Sequence, residues 1–228
     1  MVNKVKACFF ISGNGTNLSA IIKSSRDNSF PIYIGLIISN NVNAKGIKIA
    51  KKYGIPFKYF SHKNKVKFER DSLCEMRKRK IKLLCLAGFM KILSSNFIRC
   101  FNNKIINIHP SLLPKFKGLN TYKRALKNNE KFSGCSVHYV TSKLDSGKII
   151  KKRRVEIKQN DTEASLKDKI LCEEHKIFSQ EINQTSIKQI SYNTKNEFNL
   201  INKKLFFKAL EDGTLKIINL SSEKIKIK

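Results

Sequence analysis

The chain has 228 residues, 41% of them hydrophobic, which is enough to bury a core and too apolar for a disordered polymer. Its 46 Lys+Arg against 17 Asp+Glu give a net charge of +29, which speeds encounter with anions; Lys, Asn and Ile abound throughout, so charge alone assigns no nucleic-acid site. No apolar run approaches the ~20 residues of a membrane span, and the six cysteines occur without a Cys-x-x-Cys pair, which suits reduced, mostly buried thiols rather than a metal or disulfide framework.

Taken in chain order, short apolar runs alternate with helix-period segments, the pattern of an α/β fold: a mostly parallel twisted sheet with helices on both faces. The start, Lys4 to Ser12, has an apolar stretch too short for a signal peptide and runs straight into a glycine loop, so it is expected to be a first buried strand of a cytoplasmic protein. Expected strands are 5–11, 32–38, 57–60, 83–87 and 105–108, and expected helices between them are 18–25, 44–53, 66–79 and 95–101. Gly54 followed by Pro56 ends the second helix. A Pro/Gly-punctuated loop over 110–118 precedes a short helix near 122–128, and strands 136–140 and 149–155 follow as antiparallel additions. Asn160 or Asp161 is the expected N-cap of a long helix from Glu163 to about Ile182, with Leu166, Ile170, Ile177 and Glu181 on one stripe. Beyond Gln184 the chain turns polar, with weak strand signals at 205–209 and 215–220 around a Glu211-Asp-Gly213 turn. The expected organisation is one domain over 1–187 and a small appendage over 188–228.

Three segments carry chemistry. Ser12-Gly13-Asn14-Gly15-Thr16-Asn17 joins the first strand to the first helix, where glycines allow close approach and free N–H groups favour an anion. It lacks the third glycine of a dinucleotide fingerprint and the Gly-Lys-Ser/Thr of a P-loop, so a single phosphate suits it better. In Ile106-Asn107-Ile108-His109-Pro110, Asn107 and His109 alternate with isoleucines at the carboxyl end of a strand, so both point to one face at the edge where open parallel sheets bind ligands. An amide donor beside an imidazole meets the needs of acyl transfer: one stabilises an oxyanion, the other relays a proton. Asp145, before Ser146-Gly147, is placed to hold His109 and raise its pKa.

With these residues the chain resembles the glycinamide ribonucleotide formyltransferases, folate-dependent enzymes with the formyltransferase fold and a Rossmann-like N-terminal half. The resemblance runs through Ser12–Leu18, Ser39-Asn40, Leu86-Ala-Gly-Phe-Met-Lys-Ile-Leu93, Ile106–Pro114, Gly134–Val140, Leu144-Asp-Ser-Gly147 and Glu174-His175, covering roughly residues 4–185. It implies transfer of the formyl group of 10-formyltetrahydrofolate to the amine of glycinamide ribonucleotide in purine synthesis. Asn107, His109 and Asp145 would be catalytic, as oxyanion donor, proton donor and support of the imidazolium. Gly15, Thr16, Asn17 and Glu174 would bind the ribonucleotide phosphate. Lys65, Met90, Lys91, Ile92, Leu93, Asn107, Thr141, Ser142, Lys143, Leu144 and Asp145 would hold the folate. No metal is implied; the partners are the two small-molecule substrates, with no nucleic acid or membrane, in a monomer or homodimer.

The chain departs from the family pattern at several positions. Lys117, Asn120 and Tyr122 replace a proline and two histidines, Lys148 a proline, Lys65 and Lys91 arginines, and Leu171 a polar residue. Lysine offers a point charge where arginine offers a fork, which weakens folate contacts without changing the reaction type. A methionyl-tRNA formyltransferase would share Asn107, His109 and Asp145, but that family carries a larger C-terminal domain and lacks this phosphate loop. A basic RNA-binding protein on a decayed enzyme scaffold is the non-enzyme alternative.

Overall fold

The computed structural model describes residues 4–211, with side chains described through Tyr192. The chain divides after Ile187 into two units. The first contains a seven-stranded sheet in the order β3-β2-β1-β4-β5-β6-β7. Its strands are β1 Val5–Ile11, β2 Ile32–Ser39, β3 Phe57–Tyr59, β4 Leu83–Leu86, β5 Lys104–His109, β6 Phe132–Tyr139 and β7 Ile149–Glu156. β1 to β5 pair in parallel, and β6 and β7 are added antiparallel. The helices are α1 Thr16–Ser25, α2 Lys45–Lys52, α3 Lys65–Lys78, α4 Ser95–Phe101, α5 Thr121–Lys127 and α6 Glu163–Glu211.

The central strands read as nearly continuous apolar runs because both of their faces are covered. On one face Cys8, Phe10, Leu36, Ile38, Leu84 and Leu86 pack with Phe68 and Met76 of α3 and Phe97 and Phe101 of α4. The opposite pleat of β1 points Ala7, Phe9 and Ile11 the other way, and all three are fully buried. α1 and α6 touch through Asn17–Glu174 and Ser24–Ser179 hydrogen bonds. The inward stripe of α6 is Leu166, Ile170, Ile177 and Ile182, all fully buried, and Glu174 and Glu181 share their burial.

Four expectations are corrected. The cap of α6 is Thr162, whose Oγ1 accepts the Ser165 N–H at 3.2 Å; Asp161 instead pairs with Lys169. The weak strand at 205–209 lies inside α6, which runs on past Ile182; a short apolar run has no periodicity to separate strand from helix. Glu211, expected in a turn, is helical and is the last described residue; Asp212, Gly213 and 215–220 fall outside the described residues. The cysteines are all free, but only Cys8, Cys85 and Cys135 are buried; Cys74, Cys100 and Cys172 are exposed. Among the described residues no helix is long and apolar enough to cross a membrane.

Candidate active site

The parallel strands end at one edge, and their loops surround a cavity of about 1070 Å³. Its lining includes Gly15, Thr16, Asn17, Met90, Lys91, Ile92, Leu93, Asn107, His109, Thr141, Lys143, Leu144, Asp145 and Glu174. Two expected members are absent. Lys65 stands exposed as the first residue of α3, with its electrostatic influence felt at His62 rather than in the cavity, and Ser142 is exposed on the 141–147 loop. Neither is among the lining residues.

Asn107 and His109 share the cavity face of β5, as their period-two spacing predicts. His109 is 6% exposed, and its Nδ1 lies 3.4 Å from Asp145 Oδ2. Its Nε2 lies 3.0 Å from the Phe116 carbonyl, which can only accept, so Nε2 carries a proton in either charge state. The imidazolium would satisfy both acceptors. Burial acts against it and outweighs the Phe116 carbonyl and Asp145, so His109 lies below the ordinary histidine value, with His138 and Arg124 adding to the fall. Asp145 does push His109 upward as expected, but its contribution is not the one that prevails.

Burial also pushes the Asp145 carboxyl up, yet His138, the Gly118 N–H and His109 together hold it below its usual value. The Gly118 N–H donates to Asp145 Oδ2 at 2.9 Å, and Lys117 Nζ donates to Ser146 Oγ at 2.7 Å, so the loops over 116–120 and 141–147 are tied twice. Gly147 is what allows the second loop to lie against β6: a Cβ there would sit 1.7 Å from the Tyr139 carbonyl oxygen.

His138, opposite Asn107 in the β5–β6 register, is the side chain the sequence reading missed. Its Nδ1 is 2.8 Å from the Tyr139 carbonyl and so bears the proton; its Nε2 accepts from Asn107 Nδ2 at 3.0 Å. One amide hydrogen of Asn107 is thereby fixed, leaving the other available to the cavity. The backbone partners Phe116 and Gly118 were also missed. An alternating Ser136, His138 pattern on β6 was the one signal available.

At the other end of the cavity Gly15 adopts φ 71 and starts α1, which has no side-chain cap. Asn17 Nδ2 donates to Glu174 Oε2 at 2.7 Å, while Asn17 Oδ1 is buried without a partner. Glu174 is 4% exposed, and burial pushes it up to about 7 against the Asn17 amide. Tyr122 and Leu171, two of the departures, line this end. A Cβ on Gly15 would lie 2.7 Å from Gly46 Cα, so Gly15→Val must displace the turn. It is expected to raise the KM for a phosphorylated substrate by about ten-fold or more, with a smaller change for the second substrate; steady-state kinetics in each substrate checks this.

The sequence profile of the formyl transferase family matches residues 5–182, most of the chain. The chain belongs to that family, among its phosphoribosylglycinamide formyltransferases. It is 34% identical over 182 residues to the phosphoribosylglycinamide formyltransferase of Bacillus subtilis (strain 168), covering 78% of this chain and 93% of that one. It is 40% identical over 178 residues to the human trifunctional purine biosynthetic protein adenosine-3, spanning 77% of this chain but 18% of that protein's length. Among solved structures, the phosphoribosylglycinamide formyltransferase of Coxiella burnetii superposes with a TM-score of 0.77 at 38% identity, covering 82% of this chain and 89% of the other. The α/β architecture agrees with this membership.

Proposed function

We propose that the chain transfers the formyl group of 10-formyltetrahydrofolate to the amine of glycinamide ribonucleotide, a step of de novo purine synthesis. The observation that carries this reading is a single cavity lined by both a phosphate-type turn, Gly15 to Asn17, and the Asn107, His109 and Asp145 group. The names of the family relatives support it.

In this reading the substrate amine attacks the formyl carbon, and the resulting oxyanion takes the free N–H of Asn107. His109, neutral because its pKa is depressed, accepts the proton lost by the attacking nitrogen and returns it to N10 of the folate as the carbon–N10 bond breaks. Asp145 stabilises the imidazolium while it exists. Met90, Lys91, Ile92 and Leu93 with Thr141, Lys143, Leu144 and Asp145 hold the pterin side, and the N–H groups at the start of α1 take the phosphate. We place Lys65 and Ser142 at the outer margin, where only a long ligand would reach them. All of the chemistry falls within the first unit, and 188–228 is an appendage to it.

Glu174 suits the ribose hydroxyls better than the phosphate. An ionised carboxylate repels a phosphoryl group, whereas Glu174 and the unpartnered Asn17 Oδ1 are two adjacent acceptors. Raised to about 7, Glu174 is ionised above that pH and protonated below it. Affinity for the ribonucleotide is therefore expected to weaken as pH falls through about 7. Glu174→Gln is expected to lose that component and to retain only the pH dependence of the ligand's own groups; isothermal titration over pH checks this.

The function is tested by presenting the purified chain with labelled formyl folate and two acceptors, glycinamide ribonucleotide and charged initiator tRNA. Label in the ribonucleotide alone is expected. Label in the tRNA alone overturns the reading.

A further inference from the structure

The Ser39-Asn40 pair has no part in the transfer just described, yet it lies where three loops leave the carboxyl edge of the parallel strands: those after β1, β2 and β4. Ser12 joins all three. Its hydroxyl donates to Asn40 Oδ1 at 2.7 Å and accepts the Met90 N–H at 2.9 Å. Its own N–H donates to the Gly88 carbonyl at 3.2 Å, and its carbonyl accepts from Asn41 Nδ2 at 3.1 Å. The turn that presents Asn40 is closed by Ser39, whose hydroxyl donates to the Asn41 carbonyl at 2.8 Å and accepts the Asn41 N–H at 3.1 Å. A serine hydroxyl has one hydrogen and two lone pairs. Asn40 takes the hydrogen, which leaves the lone pairs to receive Met90. Asn40 thus sets the direction of the hydroxyl as well as its place.

We propose that Ser12, oriented by Asn40, is a positioning residue that fixes the Met90 backbone relative to the Gly15–Asn17 turn and so sets the registration of the two substrates. This rests on the reading that the first loop seats the ribonucleotide and the stretch from Met90 to Leu93 seats the folate. Registration matters because transfer requires the amine and the formyl carbon to meet at about 3–3.5 Å, and a displacement near 1 Å costs about 100-fold. Ser12 is the direct hydrogen-bonded link between the two loops, through its side chain to Met90 and its backbone to Gly88. Met90 is 61% exposed, so water can replace the lost partner and the fold survives while the registration loosens.

The test uses the full chain with Ser12→Ala, Asn40→Leu, Asn40→Asp and the double variant Ser12→Ala/Asn40→Leu. Steady-state kinetics in each substrate and hydrogen exchange at the Met90 amide are measured. Ser12→Ala is expected to lower kcat/KM for the formyl folate and to speed Met90 exchange, each by about ten-fold, with the KM for the ribonucleotide little changed. Asn40→Asp keeps the acceptor and is expected to stay near wild type, while Asn40→Leu approaches Ser12→Ala. The double variant is expected to be no worse than Ser12→Ala, because both act through one bond. An unchanged kcat/KM for the formyl folate with slow Met90 exchange in Ser12→Ala overturns the proposal, as do losses that simply add. A wild-type chain without formyl transfer sinks the functional reading instead, and Met90 exchange still judges the bond.

Discussion

Replacing His109 by alanine is expected to lower kcat by roughly 100- to 10,000-fold while the protein stays folded. The imidazole lines the cavity and faces acceptors at both nitrogens, Asp145 and the Phe116 carbonyl. His138 also lines the cavity, with its Nε2 3.6 Å from Asp145 Oδ1, but that nitrogen is shared with Asn107 Nδ2 at 3.0 Å and its Nδ1 is held by the Tyr139 carbonyl. Removing the ring leaves Asp145 with the Gly118 N–H, and water entering from the cavity can reach the Phe116 carbonyl, so the fold loses little. Single-turnover transfer, with the thermal midpoint measured on the same preparation, separates the two effects. A folded His109→Ala protein with a near-normal rate rules out the proton-carrying role.

Asp145→Asn is expected to lower kcat by about 100-fold or more and to move the His109 titration to lower pH. The two effects share a cause. Asparagine that keeps its oxygen on the Gly118 N–H presents that same, now neutral, oxygen to His109 Nδ1, and its amide nitrogen faces His138 Nε2. A neutral oxygen supports a proton at Nδ1 less than a carboxylate does, so the imidazolium loses its charge partner. The sign follows from the charges: Asp145 pushes His109 upward against burial, so deleting the carboxylate removes an upward influence and leaves the downward ones. Ring resonances followed by NMR are expected to titrate below the ordinary 6.5 in the wild type and lower still in the variant. A rise in the variant contradicts the account. With only four histidines in the chain, the assignment is tractable.

What the sequence makes legible is local. β1 is bounded by a lysine-flanked apolar run and a glycine turn, and its limits match the structure at both ends. Asn107 and His109 announce their common face because a strand's period is two. The features that escaped are long-range or belong to the backbone. His138 meets Asn107 only through the antiparallel β5–β6 register, which nothing in either strand specifies alone. The Phe116 carbonyl and the Gly118 N–H have no side-chain signature, although they orient His109 and Asp145. Lys65 carries the expected type of charge for a folate contact, but its place at the head of α3 leaves it outside the lining. The apolar 205–209 run shows the converse failure, since Leu-Phe-Phe-Lys-Ala satisfies a strand pattern and is helical here.

The most direct test is a structure of the chain with glycinamide ribonucleotide and an unreactive folate analogue bound together. The phosphate is expected at the Gly15–Asn17 turn, with the substrate amine and the analogue's N10 both beside Asn107 and His109. A phosphate seated elsewhere, or an amine out of reach of His109, contradicts the account.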